Sequence, residues 1–386
     1  MADATPPKPS ARRVKKLAAP GLPLPDQVAL VLQGGGALGA YQLGIYEALD
    51  EAGIEIDWIA GISIGAANAA IIAGNPPGKR VERLHAFWNK MTGALPAFPI
   101  WGGDWAREVV HELSAATVAT FGVPGLFRPR LLSPFFAPDS SCEALSFYDS
   151  APLRESLDAL VDWDLLNSGP MRLSVGAVEL ESGNFRYFDT RKERIDARHI
   201  MASGALPPGL PPVEIDGQLW WDGGIVSNTP LAHVVEHQDA DMLIFQVDLF
   251  SSSAERPKTI TDVMARAKEI QYSSRTRQIS DQLVKTRQEH QLVSKLLDRL
   301  PPEMASDPDV VALRHATREH AVNVVQLIYR ANAWEGGSRD YEFSARTMHD
   351  HIAAGRAAIA ATMDKSALLA RNIYDGETAA FDLTVR

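Results

Sequence analysis

The chain has 386 residues, which at about 150 residues per domain is room for two to three domain-sized units. Hydrophobic residues make up 46% and charged residues 22%, an ordinary globular balance that excludes disorder throughout. With 38 Lys and Arg against 48 Asp and Glu the formal charge is −10. That excludes the broad positive field that holds nucleic acid, so no nucleic-acid partner is expected.

The lone Cys142 excludes an intrachain disulfide and a thiolate metal cluster, and makes the cytoplasm the expected location. Residues 1–26 carry a basic cluster (Arg12, Arg13, Lys15, Lys16) with no apolar run of signal-peptide length before Gly34, which reads as a flexible basic tail. From Gln27 onward strands and helices alternate. Val28 to Gln33 is a short apolar run, followed by glycines and then by Ala40, Leu43, Ile45 and Leu49 at helical spacing. A second buried strand is expected over Asp57 to Ala60, and the small residues of Ala66 to Ala73 open a helix that Asn75-Pro76-Pro77 stops. The uncharged stretch Trp58 to Gly74 is too short, and too rich in Gly and Ala, for a spanning helix. Val81 to Met91 continues as helix.

Thr92 to Ser150 breaks this rhythm with Pro, Gly and aromatics, among them Phe98, Trp101, Trp105, Phe135 and Phe136. It reads as a long irregular insert over residues 92–150, either an apolar lid over a greasy site or a loop-rich extension of the core. Strands resume at Arg172 to Glu179, Asn184 to Phe188 and Met242 to Asp248, with a helix over Thr229 to His237. Val213 to Ile215 and Gln218 to Trp221 flank Asp216-Gly217, a two-residue hairpin signal. Strands interleaved with helices imply an α/β fold, a mostly parallel sheet covered on both faces with its ligand site at the carboxyl ends of the strands. Beyond Ser251 the composition shifts to polar helix formers, and Thr259 to Leu300 reads as one or two amphipathic helices. From Arg266 to Arg299 eight Lys or Arg stand against four Asp or Glu, a face suited to an anionic membrane, although a solvated face is the commoner explanation. Val322 to Tyr329 is expected as a strand and Asp350 to Leu369 as an Ala-rich helix. The resulting division is a tail over 1–26, an α/β unit over 27–250 and a mainly helical extension over 251–386.

The strongest local signal is Gly61-Ile62-Ser63-Ile64-Gly65. A serine on a sharp turn between strand and helix needs glycines two positions either side, because side chains there clash as the chain folds back, and the turn presents the hydroxyl as a nucleophile. The plainer reading is an inert helix N-cap. Gly34-Gly35-Gly36-Ala37-Leu38-Gly39 follows the first strand, where backbone N–H groups converge unobstructed on a developing oxyanion. The same six residues match G-x-G-x-x-G, so a dinucleotide-binding oxidoreductase is the rival. That rival wants an acidic residue at the end of the second strand, whereas this strand runs into Gly61 and Ser63, and Asp57 stands at its start. Trp220-Trp221-Asp222-Gly223-Gly224 delivers Asp222 into a glycine turn, where a carboxylate accepts the serine proton or orients whatever does, although Asp before Gly is also ordinary turn chemistry. A Ser-His-Asp triad needs a loop histidine after Asp222, and His233, His237, His290, His315, His320, His349 and His351 all lack a loop signature. His233 and His237 have a spacing that suits a metal but no nearby third ligand, so they are expected at the surface.

A glycine-rich loop after the first strand, G-x-S-x-G after the second and Asp-Gly-Gly later, in that order and with no obligatory His, resembles the patatin-like phospholipase family over roughly Val28 to Leu249. Ala202-Ser203-Gly204-Ala205-Leu206-Pro207-Pro208 and Ser227-Asn228-Thr229-Pro230-Leu231 resemble its bacterial branch, and the part containing Tyr272-Ser273-Ser274-Arg275-Thr276-Arg277 looks like an extension of some bacterial members. The resemblance implies a three-layer α/β/α sandwich with a Ser-Asp dyad on Ser63 and Asp222. Gly34, Gly35 and Gly36 are implied as oxyanion donors, with Gly39, Gly61, Gly65, Gly223 and Gly224 in support. It implies calcium-independent hydrolysis of acyl esters of phospholipids or neutral lipids through an acyl-enzyme, with no cofactor and no metal. The implied partner is a lipid substrate, with peripheral contact at the inner membrane surface. Leu38 stands where the family usually places Arg or Lys, which leaves neutral esters open. The alternative is a catalytically silent lipid-binding or scaffold protein of the same fold.

Overall fold

The computed structural model describes residues 16–18, 21–93, 103–139, 141–253, 256–257, 259–317, 320–332 and 335–384. Residues 1–15 of the expected tail, with Phe98 and Trp101 of the expected insert, lie outside them. Lys16–Ala18 departs from the expected flexible tail by pairing antiparallel with Leu22–Leu24, and Leu22 and Leu24 lie in the core.

Nine strands form the main sheet: β1 Gln27–Leu32, β2 Trp58–Gly61, β3 Arg172–Glu179, β4 Phe185–Asp189, β5 Val213–Ile215, β6 Gln218–Asp222, β7 Met242–Asp248, β8 Val322–Ile328 and β9 Ala379–Phe381. Their order is β9-β8-β7-β1-β2-β3-β6-β5, with β4 on β3 off this path. From β9 to β3 neighbours run parallel, while β4 and β6 are antiparallel to β3 and β5 is antiparallel to β6. The chain leaves β1 outward through β2 to β3 and returns on the other side of β1 as β7. The gap between β1 and β2 on one side and β7 on the other is therefore the topological switch point, where α/β sheets bind ligands.

Alternation along the strands supplies two buried faces. Val28, Leu30 and Leu32 of β1 join one core with Leu243, Phe245 and Val247 of β7, while Ala29 and Val31 join the other with Met242 and Ile244. Helices α1 Ala40–Glu51, α2 Ile64–Ala73 and α3 Arg80–Thr92 pack on the first face. The expected irregular insert instead contains the nineteen-residue helix α4, Gly103–Phe121. On the second face lie α5, Leu231–Glu236, and α6, Ile260–Leu297, the latter a single 38-residue helix opened by a capping box between Thr259 and Asp262. Helix α7, Ala345–Asp364, crosses α1 so closely that a Cβ on Gly44 would lie 2.0 Å from the Ile352 carbonyl oxygen. The expected boundary at residue 250 does not divide the sheet, because β8 and β9 continue it directly from β7.

A buried ion pair ties β3 to β4. Arg172 donates through Nε to both Asp189 carboxylate oxygens, at 3.1 and 2.9 Å, and its guanidinium stacks 3.5 Å from the centre of the Trp58 ring. Ser174 Oγ and the Arg191 N–H also donate to this carboxylate. His233 is buried, contrary to the surface position expected for it: its ring stacks on Tyr187 at 3.9 Å and its Nε2 lies 3.6 Å from Asp189. Only His237 of that pair is exposed. Burial raises the Asp189 carboxyl, but hydrogen bonds from His233, Arg172, Ser174 and the Arg191 N–H outweigh it and hold the group well below the usual carboxylate range.

Asp189→Ala strands the Arg172 cation in the core and is expected to lower stability to urea by about 3–5 kcal/mol. Because the native carboxyl titrates below its unfolded value of about 3.9, its stabilisation is complete above that pH and fades as pH falls. The gap between wild type and variant, followed by urea melts across pH, should therefore narrow in acid.

Candidate active site

Ser63 stands at the junction of β2 and α2 with φ 56°. A non-glycine residue there carries strain on the order of 1–3 kcal/mol and persists only where its surroundings enforce it. The enforcing contacts are close. A Cβ on Gly61 would lie 2.4 Å from the Gly65 carbonyl oxygen, and one on Gly65 would lie 2.5 Å from that of Leu32. The Ser63 N–H donates to Ser203 Oγ at 3.0 Å, and Ser203 Oγ donates to the Gly176 carbonyl at 2.7 Å. Ser63 is also the N-cap of α2, at the positive end of the helix dipole, where negative charge is favoured.

Strand register brings Asp222 to this serine. Strand β4 pairs with β3 alongside both Val175 and Ala177, so β2 and β6 must share the opposite edge of β3, one beyond the end of the other. Gly61 is in register with Val175 and Asp222 with Ala177. Asp222 is 2% exposed, and burial pushes its carboxyl up to about 7. Two contacts oppose that rise: the Ser63 hydroxyl and the Gly224 N–H, the latter at 2.6 Å from Oδ1.

The glycine loop lies beside the pair, with a Cβ on Gly34 falling 2.9 Å from Ser63 Cβ and 2.5 Å from Asn228 Oδ1. Of the three expected donors, Gly34 is already engaged, its N–H on the Asn228 carbonyl at 3.3 Å, while Asn228 Nδ2 donates to the Gly34 carbonyl at 3.0 Å. Gly35 and Gly36 N–H groups have no such acceptor among the described residues. Gly36 sits at φ 54°, and a Cβ there would lie 2.2 Å from the Asp340 carbonyl oxygen. Leu38 is fully buried in the core, so that position offers the site no charge. Asp57 accepts from the Val28 N–H at 2.9 Å, at the opposite ends of the strands from the glycine loop, where it cannot hold a ribose beside that loop.

Ser63, Asp222 and the three glycines open into a cavity of about 200 Å³ whose walls include Phe127, Tyr148, Leu206, Phe250 and Phe343. Residues beyond 250 form part of it: Lys268 and Tyr272 from α6, and Asp340 and Tyr341 from the turn Arg339–Tyr341. Lys268 is the one Lys or Arg in the wall among the described residues, ion-paired with Asp340 and 4.9 Å from the centre of the Tyr341 ring. Sequence reasoning gave no role to Ser203 or Asn228, although both stand in segments that carried the family resemblance, and it missed the whole wall contributed by the C-terminal part. Among the described residues no group of three or more His, Cys, Asp or Glu is arranged to hold a metal ion.

Residues 30–235 match the family model described as patatin-like phospholipase. The chain belongs to that family. Residues 270–373, which include Tyr272, Asp340 and Tyr341, match a second model described as patatin phospholipase. The lysophospholipase nte1 of Aspergillus terreus is 28% identical over 245 residues, 62% of this chain and 13% of that protein. An uncharacterized NTE family protein of Mycobacterium bovis is 28% identical over 228 residues, 59% of this chain and 49% of that protein. The match thus spans from about an eighth to about half of the length of these curated relatives. Among solved structures, VipD from Legionella pneumophila aligns with a TM-score of 0.43 at 14% identity, covering 99% of this chain and 77% of that one. Human GIVD cytosolic phospholipase A2 aligns with a TM-score of 0.43 at 11% identity, covering 91% and 60%.

The strained backbone at Ser63 has a measurable consequence. Glycine tolerates a positive φ that alanine does not, so Ser63→Gly is expected to be more stable than Ser63→Ala by about 1 kcal/mol, read from urea unfolding of the two variants at one pH.

Proposed function

We propose that this protein is a serine acyl-ester hydrolase acting on lipids, with Ser63 as nucleophile and Asp222 as general base. The observation that carries this reading is a desolvated carboxyl contacting the hydroxyl of a strained strand-to-helix serine, beside unengaged backbone N–H groups, at the end of an apolar cavity. Asp222 takes the proton as Ser63 Oγ bonds to the ester carbonyl carbon. The N–H groups of Gly35 and Gly36 receive the oxyanion, a contact type worth about 2.7–4 kcal/mol of barrier per donor. Collapse breaks the ester bond, and the leaving alkoxide takes the proton back from Asp222. Water then gives a proton to Asp222, attacks the acyl-enzyme and frees the fatty acid, and Ser63 regains its proton. The reading includes a cytoplasmic location with transient contact at the inner membrane surface.

A fluorophosphonate probe tests the nucleophile and a short-chain p-nitrophenyl ester tests turnover. Wild type should label and turn over, and Ser63→Ala and Asp222→Asn should each lose both, as members of one catalytic unit do. Since the base works only when deprotonated and titrates near 7, kcat/KM should fall about tenfold per pH unit below that value and level off above it. Labelling that survives Asp222→Asn, with one His→Ala variant collapsing instead, sinks the dyad. A wild type that does not label leaves the silent lipid binder.

Head-group preference follows from the wall. With Leu38 buried, Lys268 is the cation of the described cavity wall that can meet a phosphate, so Lys268→Met is expected to reduce hydrolysis of an anionic phospholipid relative to a neutral acylglycerol by about tenfold, the scale of one charge-assisted hydrogen bond. Paired rate measurements on the two lipids in mixed micelles check it.

A further inference from the structure

The described residues between 128 and 149 are closed into a hairpin at their ends. Arg128–Pro129 pairs with Tyr148–Asp149, the Arg130 N–H donates to the Phe147 carbonyl at 3.1 Å, and Arg130 Nε donates to Ser146 Oγ at 3.1 Å. Between the paired strands a short helical turn, Pro134–Phe136, carries two exposed rings, Phe135 meeting Phe147 edge-on at 6.2 Å. Phe135 is 83% exposed, Phe136 80% and Leu131 fully exposed, with Leu132 and Phe147 also in solvent. Phe121, at the end of α4, is likewise exposed. Single exposed apolar residues are unremarkable, but this many on one braced segment mark an interaction surface.

The base of this hairpin is the cavity wall itself. The Phe147 N–H donates to the Pro208 carbonyl at 3.1 Å and the Tyr148 N–H to that of Gly209 at 2.9 Å, and Tyr148, Pro208 and Gly209 all line the cavity beside Ser63. Exposed and buried apolar surface are thus joined through one backbone ladder. Charge narrows the partner. No charged residue falls between Leu131 and Pro138, Arg128 is paired with Asp149 at 2.8 Å and Arg130 with Glu143 at 3.9 Å, and the chain carries −10. Nothing in this segment recruits anionic head groups, so its attraction to a lipid surface is hydrophobic.

We propose that the tip of this hairpin, Leu131, Leu132, Phe135 and Phe136, inserts into a zwitterionic lipid surface and seats the adjoining cavity against it. The proposal deepens the lipid-hydrolase reading and rests on it for its occupant. The interface is a lipid layer rather than a second copy of this chain, because the apolar tip continues into the cavity proposed to take an acyl chain.

The test is co-sedimentation with phosphatidylcholine vesicles, with and without phosphatidylglycerol, at low and high salt. Cys142 lies in the same hairpin, is exposed and is the one cysteine of the chain, so a polarity-sensitive fluorophore there reports insertion. Wild type should bind phosphatidylcholine alone, with little salt dependence and a blue-shifted label. The double variant Phe135→Ser/Phe136→Ser should bind about tenfold more weakly or worse, roughly 1.4 kcal/mol or more, while keeping wild-type turnover of a soluble short-chain ester. Equal binding by the variant overturns the proposal. So does binding that requires phosphatidylglycerol and vanishes in salt, or a dimer that the double variant dissociates without change in vesicle binding. If wild type fails to turn over the soluble ester, the hydrolase reading fails while the sedimentation result still stands on its own.

Discussion

The structure turns on one contact, a carboxyl removed from water and set against a serine hydroxyl. Asp222, at the end of β6, and Ser63, just after β2, stand 159 positions apart in the sequence and meet because β3 lends both strands the same edge. Three features follow from that arrangement. Strand β2 must stop at Gly61 so that β6 can take over the edge. The chain must turn sharply into α2, which small residues on both sides permit. The opposite edge of β3 must be held by something else, and β4 holds it through the Arg172–Asp189 pair.

Around this contact the polar groups form a continuous brace. Gln33, fully buried at the switch point, accepts from the Leu249 and Phe250 N–H groups at 2.6 and 3.1 Å and donates to Thr229 Oγ1 and the Tyr272 carbonyl. Its own carbonyl accepts from Gln42, which with Gly39 accepts from Asn68, which in turn accepts from Trp88 Nε1. A buried polar network with its members bonded rigidifies what it touches. Here it reaches the glycine loop through Gln33 and Gly39, while Asn228 bonds Gly34 and the Asp340 carbonyl crowds Gly36. The C-terminal part therefore belongs to the site twice over, as sheet strands β8 and β9 and as cavity wall.

Legibility in the sequence followed the range of the interactions. The turn at Ser63 was readable because its constraint acts over two residues either side, and steric exclusion there leaves glycine as its mark. The two-residue hairpin at Asp216-Gly217 was readable for the same reason, both residues having positive φ. Asn228 clamps Gly34 across 194 positions, and Asp340 reaches Gly36 from farther still, so neither leaves a local pattern. His233 departs from its expected surface position because a histidine pair at helical spacing looks polar, whereas its ring is held between Tyr187 and Trp58 beside a carboxylate delivered by another strand. Helix α4 was hidden by the Pro, Gly and aromatic density of its flanks, which dominated the composition of the whole segment.

A dyad without imidazole makes dryness a chemical requirement. An aspartate in water titrates near 3.9, too weak a base to draw a proton from a serine at neutral pH. In the proposed mechanism burial supplies the basicity that a histidine provides elsewhere, since each unit by which the carboxyl rises is about 1.4 kcal/mol of added proton affinity. In that mechanism the apolar wall proposed to take an acyl chain is the same wall that tunes the base. Water must nevertheless enter to release the acyl group, which argues for a cavity that is dry when filled by substrate rather than sealed. The proposed insertion of the hairpin into lipid at the rim of that wall suits both demands: it would place the cavity against the lipid layer and leave the remaining sides of the protein in water.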